Sequence, residues 1–324
     1  MKDRKHIWKA GAVCLATAMM LSGCNVKTVL SPGSKGEKEY GKAETMIILS
    51  TEKLRYENVY TEEIWNASVD PQGTTFEAVL LPQIHDFLID LKTMSNMAKE
   101  QEITLTNREK ELVAEAAAKY YMALGSVHAG AFEAEQSDVS AFYEDYWVAE
   151  KLVTQLTSDL NLEVSDSEAK VITVSQIVLA DKETAERVLE QARAENADFY
   201  AIAKEQSADP EIKIQIHRGM KGKAYENAAF SLAENEISDV FQEKGMYYIL
   251  KCMDDYDEEA TRSRKDQMMQ EKKTEAFHTS YQAYKSEHPL VTDQELWETL
   301  SVADSPDVEA DFFAIYEEVC RELY

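Results

Sequence analysis

Six histidines and four cysteines are the side chains in this 324-residue sequence best suited to hold a metal or to act as base or nucleophile. Their spacing supports neither role. His6 lies in the basic N-terminal segment, and His85, His128, His217, His278 and His288 stand isolated along the chain. No His-Glu-x-x-His pair and no Cys/His cluster places ligands one helical turn or one tight loop apart, as a zinc site requires. No Gly-x-Ser-x-Gly turn lifts a serine nucleophile out of a strand, and no glycine-rich loop offers amides to a phosphate. Each isolated histidine therefore reads as a surface or helix-packing residue. The acidic run at 254–259 reads as a solvated turn and helix start. The sequence implies no metal and no cofactor.

Cys24 is the exception. Lys2, Arg4, Lys5 and Lys9 form a basic start, and residues 10–21 are uncharged and mostly apolar. That run is shorter than the ~20 residues needed to span a bilayer, so it reads as a removable signal peptide. It ends in Leu21-Ser22-Gly23-Cys24, which looks like a bacterial lipobox and implies cleavage before Cys24 and acylation of its sulfur. The expectation is a lipid anchor on the extracytoplasmic face of a bacterial cell membrane. Residues 24–43, rich in Ser, Gly, Pro and Lys, are expected to be a flexible tether. The chain carries 34 Lys+Arg against 60 Asp+Glu, a net charge of −26. Losing residues 1–23 removes four basic residues and one acidic one, which leaves −29. Such a surface repels nucleic acid, and no basic stripe is present to contact phosphates. Cys14 leaves with the signal. Only Cys252 and Cys320 remain, enough for one bridge at most and too few for a disulfide scaffold.

The elements that must position any site fall into three stretches. Residues 44–54, with Met46, Ile47, Ile48 and Leu49, suggest a strand. From Phe76 the apolar residues recur at steps of three and four: Phe76, Val79, Leu80, Ile84, Phe87, Leu88, Leu91 and Met94. Thr106 with Glu109 forms a capping box that opens a second helix, for which Gly125 is a fitting end. A third helix is expected over 137–160. The middle third changes character. Val171–Leu179 is β-branched, 182–194 is helical, and Asp198 caps a short helix. Ile212, Ile214 and Ile216 alternate with polar residues at period two, a helix covers 225–232, and two strands are expected over 237–241 and 246–253. This is an α+β unit. From 257 to 285 the chain is helical and charged again, and His288-Pro289 stops it. Thr292 with Glu295, and Ser305 before Pro306, suggest two further helix starts. The expected organisation is an N-terminal helical segment (44–165), the α+β domain (171–256) and a C-terminal helical segment (257–324). The two helical segments would pack together as one chaperone-like module around the inserted domain.

The short runs of the middle third resemble the parvulin family of peptidyl-prolyl cis-trans isomerases (rotamases). Ser175-Gln176-Ile177-Val178 stands where that family has Ser-His-Ile-Leu. Residues 197–199, 203–205 and 207–210 match its Ala-Asp-Phe, Ala-Lys and Ser-x-Asp-Pro runs. Arg218-Gly219 and the run at 225–232 match Arg-Gly and Phe-Glu-Asp-Ala-Ala-Phe-Ser-Leu. Residues 236–238 and 247–251 fit the closing strands. The match covers about a quarter of the chain and implies an antiparallel-sheet domain of parvulin fold. Together with the lipobox and helical flanks, it resembles the PrsA/SurA type of extracytoplasmic foldase. The partners so implied are unfolded or nascent exported polypeptides, not nucleic acid, with the membrane reached through the lipid anchor.

The departures bear on mechanism. Parvulin pockets carry two histidines, and Gln176 and Tyr248 stand at those positions. Asp209 matches the acidic or thiol position. The proline-cradling Met and Phe correspond to Lys221 and Tyr225, and Phe230 belongs to the matched run as a further substrate-side residue. The family's Gly-Gly-Asp-Leu-Gly run is missing. Isomerisation must lower a barrier of ~18–20 kcal/mol about one amide bond, and needs neither nucleophile nor cofactor. A pocket does so by gripping the proline and favouring the twisted amide over the planar one. Gln and Tyr cannot reproduce paired imidazoles, and Lys221 puts a charge into an apolar cradle. The expectation is a foldase or chaperone whose parvulin-like domain is weak or inactive. The alternatives are an active isomerase with an altered pocket and, less in keeping with the α+β unit, a solute-binding or structural lipoprotein.

Overall fold

A computed structural model describes residues 36–158 and 163–321. Cys24 and the expected signal peptide lie outside the described residues. In chain order the elements are α1 (Lys42–Glu57), α2 (Phe76–Glu100), α3 (Asn107–Phe132), α4 (Gln136–Ser158), the single turn α5 (Asp166–Ala169), β1 (Val171–Leu179), α6 (Lys182–Ala192), α7 (Phe199–Gln206), β2 (Lys213–His217), α8 (Lys223–Ser231), β3 (Phe241–Glu243), β4 (Met246–Asp254), α9 (Glu258–Glu287), α10 (Gln294–Thr299) and α11 (Phe312–Cys320). The described residues divide into two compact units, one drawn from Met1–Leu160 and Thr274–Tyr324, the other from Asn161–Lys273.

The first unit is helical and is built from both ends of the chain. Thr75 and Thr106 cap α2 and α3 through their side chains, the latter in a capping box with Glu109. Phe312, at the start of α11, is fully buried and stacks on Tyr143 of α4 at 4.1 Å, with Phe142 and Tyr146 around it. Its main chain is tied at both ends: Thr51 Oγ1 accepts from Phe312 N, and the Tyr143 hydroxyl donates to its carbonyl. A C-terminal helix thus completes the core begun by α1 to α4.

The second unit is an antiparallel sheet of order β2-β1-β4-β3. Its period-two pattern sends alternate side chains to two cores. Ile172, Val174, Leu250 and Cys252 pack with Tyr225 and Ala229 of α8 on one face. Ile177, Leu179 and Ile249 pack with α6 and α7 on the other. The fold class is therefore α+β, a helical module with an inserted antiparallel-sheet domain. The start of α9 is bound to the sheet unit: Val171 N donates to Thr261 Oγ1, Thr173 Oγ1 donates to Asp257, and Lys265 and Lys272 pair with Asp166 and Glu168.

Several local expectations are corrected. Residues 44–54 are helical, and Thr45 to Thr51 are all buried. A helix enclosed on every side shows an unbroken apolar run, which sequence periodicity cannot distinguish from a buried strand. The expected tether ends earlier than residue 43, since Glu39 and Tyr40 are buried and Lys38 bridges to Val291. Gly125 ends the first helical stretch of α3 as expected: at φ 70° and ψ 161° it leaves the helical region, and a second stretch runs on to Phe132 across the kink. The strand expected over 237–241 is a single bridge at Ile237, and the ladder forms at Phe241–Glu243 instead. Asp293, not Thr292, caps α10. No helix begins at Ser305; α11 begins at Phe312 behind its cap Asp311. Cys252 and Cys320 are both free and buried. No described helix is long and apolar enough to cross a membrane.

Candidate functional site

The site lies on the face of the sheet that packs on α8. Strand parity puts Gln176 beside Val174 and Tyr248 beside Leu250 on that face, and α8 lays Tyr225 across them. Gln176 is 2% exposed. Its Nε2 donates to Glu211 O at 2.7 Å and to Asp209 Oδ2 at 3.2 Å. Its Oε1 accepts from the Tyr225 hydroxyl at 2.9 Å. Two acceptors on one side and one hydroxyl donor on the other fix the amide in a single orientation. All that a buried amide needs is supplied from within the domain.

Asp209 is placed by a turn. Its Oδ1 accepts from Glu211 N, and its own N–H donates to Ser207 Oγ, which also accepts from Val178 N of β1. The half-buried Tyr248 stacks on Phe241 of β3 at 5.5 Å and meets Tyr225 edge-on at 5.4 Å. Tyr225 also meets Phe241 edge-on. Burial first, then the neighbouring Tyr248 and Asp209, hold the Tyr225 phenol well above its ordinary range. Burial, with Asp209 and Glu243, raises that of Tyr248 as well. Both phenols are neutral at any physiological pH and serve as hydrogen-bond donors or apolar rings.

Lys221 sits at the rim with its ammonium 5.6 Å from the Tyr225 ring centroid. The loop carrying it is held by Glu226, whose Oε1 accepts from Gly219 N and Lys221 N. Glu243 closes the other side by accepting from Ala224 N at the start of α8. Gly222 leaves room for it: a Cβ there would fall 1.9 Å from the Glu243 carboxylate and push that side chain aside. Beside this loop a groove of about 420 Å³ is lined by Glu211, Lys213, Ile214, Gln215, Met220 and Lys221.

Of the residues singled out from sequence, Gln176, Asp209, Tyr225 and Tyr248 come together, with Lys221 at their edge. Phe230 packs against the same core as Tyr225 and Tyr248. It lies in the last turn of α8 under the Arg218 guanidinium, 4.4 Å away. The sequence reading did not find the Tyr225–Gln176 hydrogen bond, the Phe241 stack or the loop clasps of Glu226 and Glu243. Glu226 was visible inside the 225–232 run. Phe241 and Glu243 carry no local signal, because strand pairing alone brings them in. Among the described residues no group of three or more His, Cys, Asp or Glu could hold a metal ion.

Known proteins bear on this geometry. Residues 176–254 match the rotamase family of PPIC-type PPIase domains. Over 217 residues the chain is 28% identical to the foldase protein PrsA of Caldanaerobacter subterraneus subsp. tengcongensis, covering 62% of this chain and 65% of that protein. Over 119 residues it is 36% identical to foldase protein PrsA 1 of Streptococcus pyogenes serotype M3, covering 33% of each. The chain thus spans less than two-thirds of either relative. The crystal structure of a peptidylprolyl isomerase (PrsA) from Bacillus cereus covers 79% of this chain at 16% identity, with a TM-score of 0.35, too loose a superposition to bear on the fold. The matched residues begin at Gln176 and close at the end of β4, enclosing every side chain of the floor just described. Residues 176–254 thus match a parvulin-type PPIase domain, in a chain that is similar to PrsA foldases over 62% of its length.

Proposed function

We propose that this chain is a lipid-anchored foldase on the outer face of a bacterial membrane, which holds unfolded exported polypeptides and isomerises proline bonds weakly or not at all. The observation that carries the reading is the locked amide of Gln176. A paired-imidazole floor can shift protons and hydrogen bonds as the substrate amide twists. The Gln176 amide cannot titrate, and its three hydrogen bonds are already spent on Tyr225, Asp209 and Glu211. Tyr248 is engaged in an aromatic stack, and Lys221 stands where proline needs an apolar wall. Losing 2–3 kcal/mol of transition-state stabilisation slows turnover roughly 30- to 160-fold. Holding of clients is supported by apolar side chains left in solvent on the helical unit, among them Val59, Tyr60, Met122 and Val127 at 69%, 56%, 81% and 79% exposed.

The test is proline isomerisation of a short peptide by the chain from residue 25, alongside suppression of aggregation of an unfolded client. The expected result is aggregation suppressed with little isomerase. Gln176→His with Tyr248→His should raise the isomerase rate, and Asp209→Ala should remove the gain. A wild-type rate comparable to ordinary parvulins, lost on Asp209→Ala, would sink the reading. It would favour the second one, an isomerase whose floor is rebuilt from Gln176, Tyr225 and Asp209, for which the closed hydrogen-bond network is the supporting observation. Anchoring is tested separately: Cys24→Ser should abolish fatty-acid labelling, and equal labelling of the variant would remove the lipid from the proposal.

A further inference from the structure

Residues 213–223 contain Lys213, His217, Arg218, Lys221 and Lys223 and not one Asp or Glu, in a chain of net charge −26. Elsewhere the cations are largely paired with carboxylates. Among the described residues, none of Lys213, Arg218, Lys221 and Lys223 makes an ion pair. Arg218 and Lys221 lie over aromatic rings instead, a contact that fixes the side chain and leaves its N–H donors open. The acids nearest the loop are already used by its backbone: Glu226 accepts from Gly219 N and Lys221 N, and Glu243 from Ala224 N. A lysine on an edge strand guards against stray strand pairing, which accounts for Lys213 alone. It does not account for three further cations on the adjoining loop and helix start.

The groove gives the cluster a purpose. Its lining combines the two lysines with Ile214 and with Met220, whose side chain is 50% exposed. Its wall is β2, an edge strand of the sheet, against which an extended chain can lie. The acid of the lining, Glu211, sits at the floor end, where its main chain binds Gln176 and Asp209. We propose that this groove recognises extended client segments that carry a carboxylate side chain beside the apolar residue lodged against Ile214 and Met220. The proposal rests on the reading of the parvulin-type domain as a client-binding module. Its chemistry is selection: an island of positive charge on an acidic protein draws in acidic segments that the remaining surface repels.

The experiment is fluorescence anisotropy of the full mature chain with labelled octapeptides of one apolar-proline core flanked by Glu, Gln or Lys. The expected order is Glu tightest, about three- to tenfold over Lys, as for one or two exposed ion pairs. Salt should narrow the gap, since the screening length falls to ~3 Å at 1 M. Lys213→Glu with Lys221→Glu should reverse the preference, Lys→Arg at both positions should keep it, and Glu211→Gln should enlarge it. Thermal melts confirm that each variant is folded. Equal binding of all three peptides overturns the selectivity and leaves client binding standing, while binding of none overturns both. Sedimentation with phosphatidylglycerol vesicles that depends on the same lysines, without peptide preference, assigns the cluster to anionic lipid and also overturns the proposal.

Discussion

The two units bury polar side chains in the same manner but at different places. In the helical unit the carboxylate of Asp145 accepts from the Tyr40 hydroxyl at 2.9 Å, Ser95 Oγ at 2.6 Å and Lys99 at 2.8 Å. Asp90 accepts from Tyr281 and Lys285. Each carboxylate is itself buried and joins segments far apart in sequence, and its role is structural. In the sheet unit Gln176 is held just as fully, at the first residue of the stretch that matches PPIC-type PPIase domains. Gln176 is therefore a structural clasp within that domain. A side chain whose hydrogen bonds are all spent inside the protein stabilises the fold, and it has little left to offer a substrate whose charge distribution is changing.

That comparison can be broken at three points. The largest effect is expected from Asp145→Ala, which strands the buried hydroxyls of Tyr40 and Ser95 without their acceptor and should cost about 3 kcal/mol, while Lys99 turns to solvent. Hydrogen exchange should show the loss in α2 and α4 while the amides of β1 and β4 keep their protection. Equal loss in both units would show that the staple is not local.

A smaller effect is expected from Tyr225→Phe. It deletes the donor to Gln176 Oε1 and should destabilise the sheet unit by about 1–2 kcal/mol, read as a lower denaturation midpoint. The same change frees the Gln176 carbonyl. If the clasp is what limits chemistry, isomerase activity should not fall below wild type and should rise; a marked drop would assign Tyr225 to catalysis.

The smallest effect concerns Glu150 in the helical unit. Burial raises its carboxyl above the usual range, against the hydrogen bond from Tyr316 and the nearby Arg321. An acid whose folded-state pKa is raised binds its proton more readily folded than unfolded. Its charged form therefore costs stability, and that cost is recovered as pH falls through the folded-state pKa. Glu150→Gln should be most favourable relative to wild type near pH 7, with the difference in melting temperature shrinking towards pH 4. A difference that grows on acidification would reverse the sign of the coupling.

Much of the sheet unit was legible because its signals are local. The alternation of Ile212, Ile214 and Ile216, the cap at Asp198 and the 225–232 run each lie within a few residues, and each appears where it was read. The helical core was legible as amphipathic stripes, but α1 was not: Met46 to Leu49 are enclosed by neighbours distant in sequence, which erases the periodicity. The positions of Gln176, Asp209, Tyr225 and Tyr248 followed from the resemblance of the runs around them to the parvulin family. Their states did not, because a hydrogen bond between residues 176 and 225 exists only once β1 and α8 are packed.

What the sequence by itself determined is composition and local order: the acidic charge, the antiparallel-sheet domain set between helical segments, and glutamine and tyrosine at positions 176 and 248, all of which are properties of residues and their near neighbours. What only the tertiary structure decided is the use of those residues. Packing of α8 on the sheet turned Gln176 into a clasp, and strand pairing brought Phe241 onto Tyr248. The fold of β2 and the 218–223 loop left Lys213, Arg218, Lys221 and Lys223 without an ion pair among the described residues. Burial and partner choice arise from contacts between distant segments, and no reading of one segment at a time contains them.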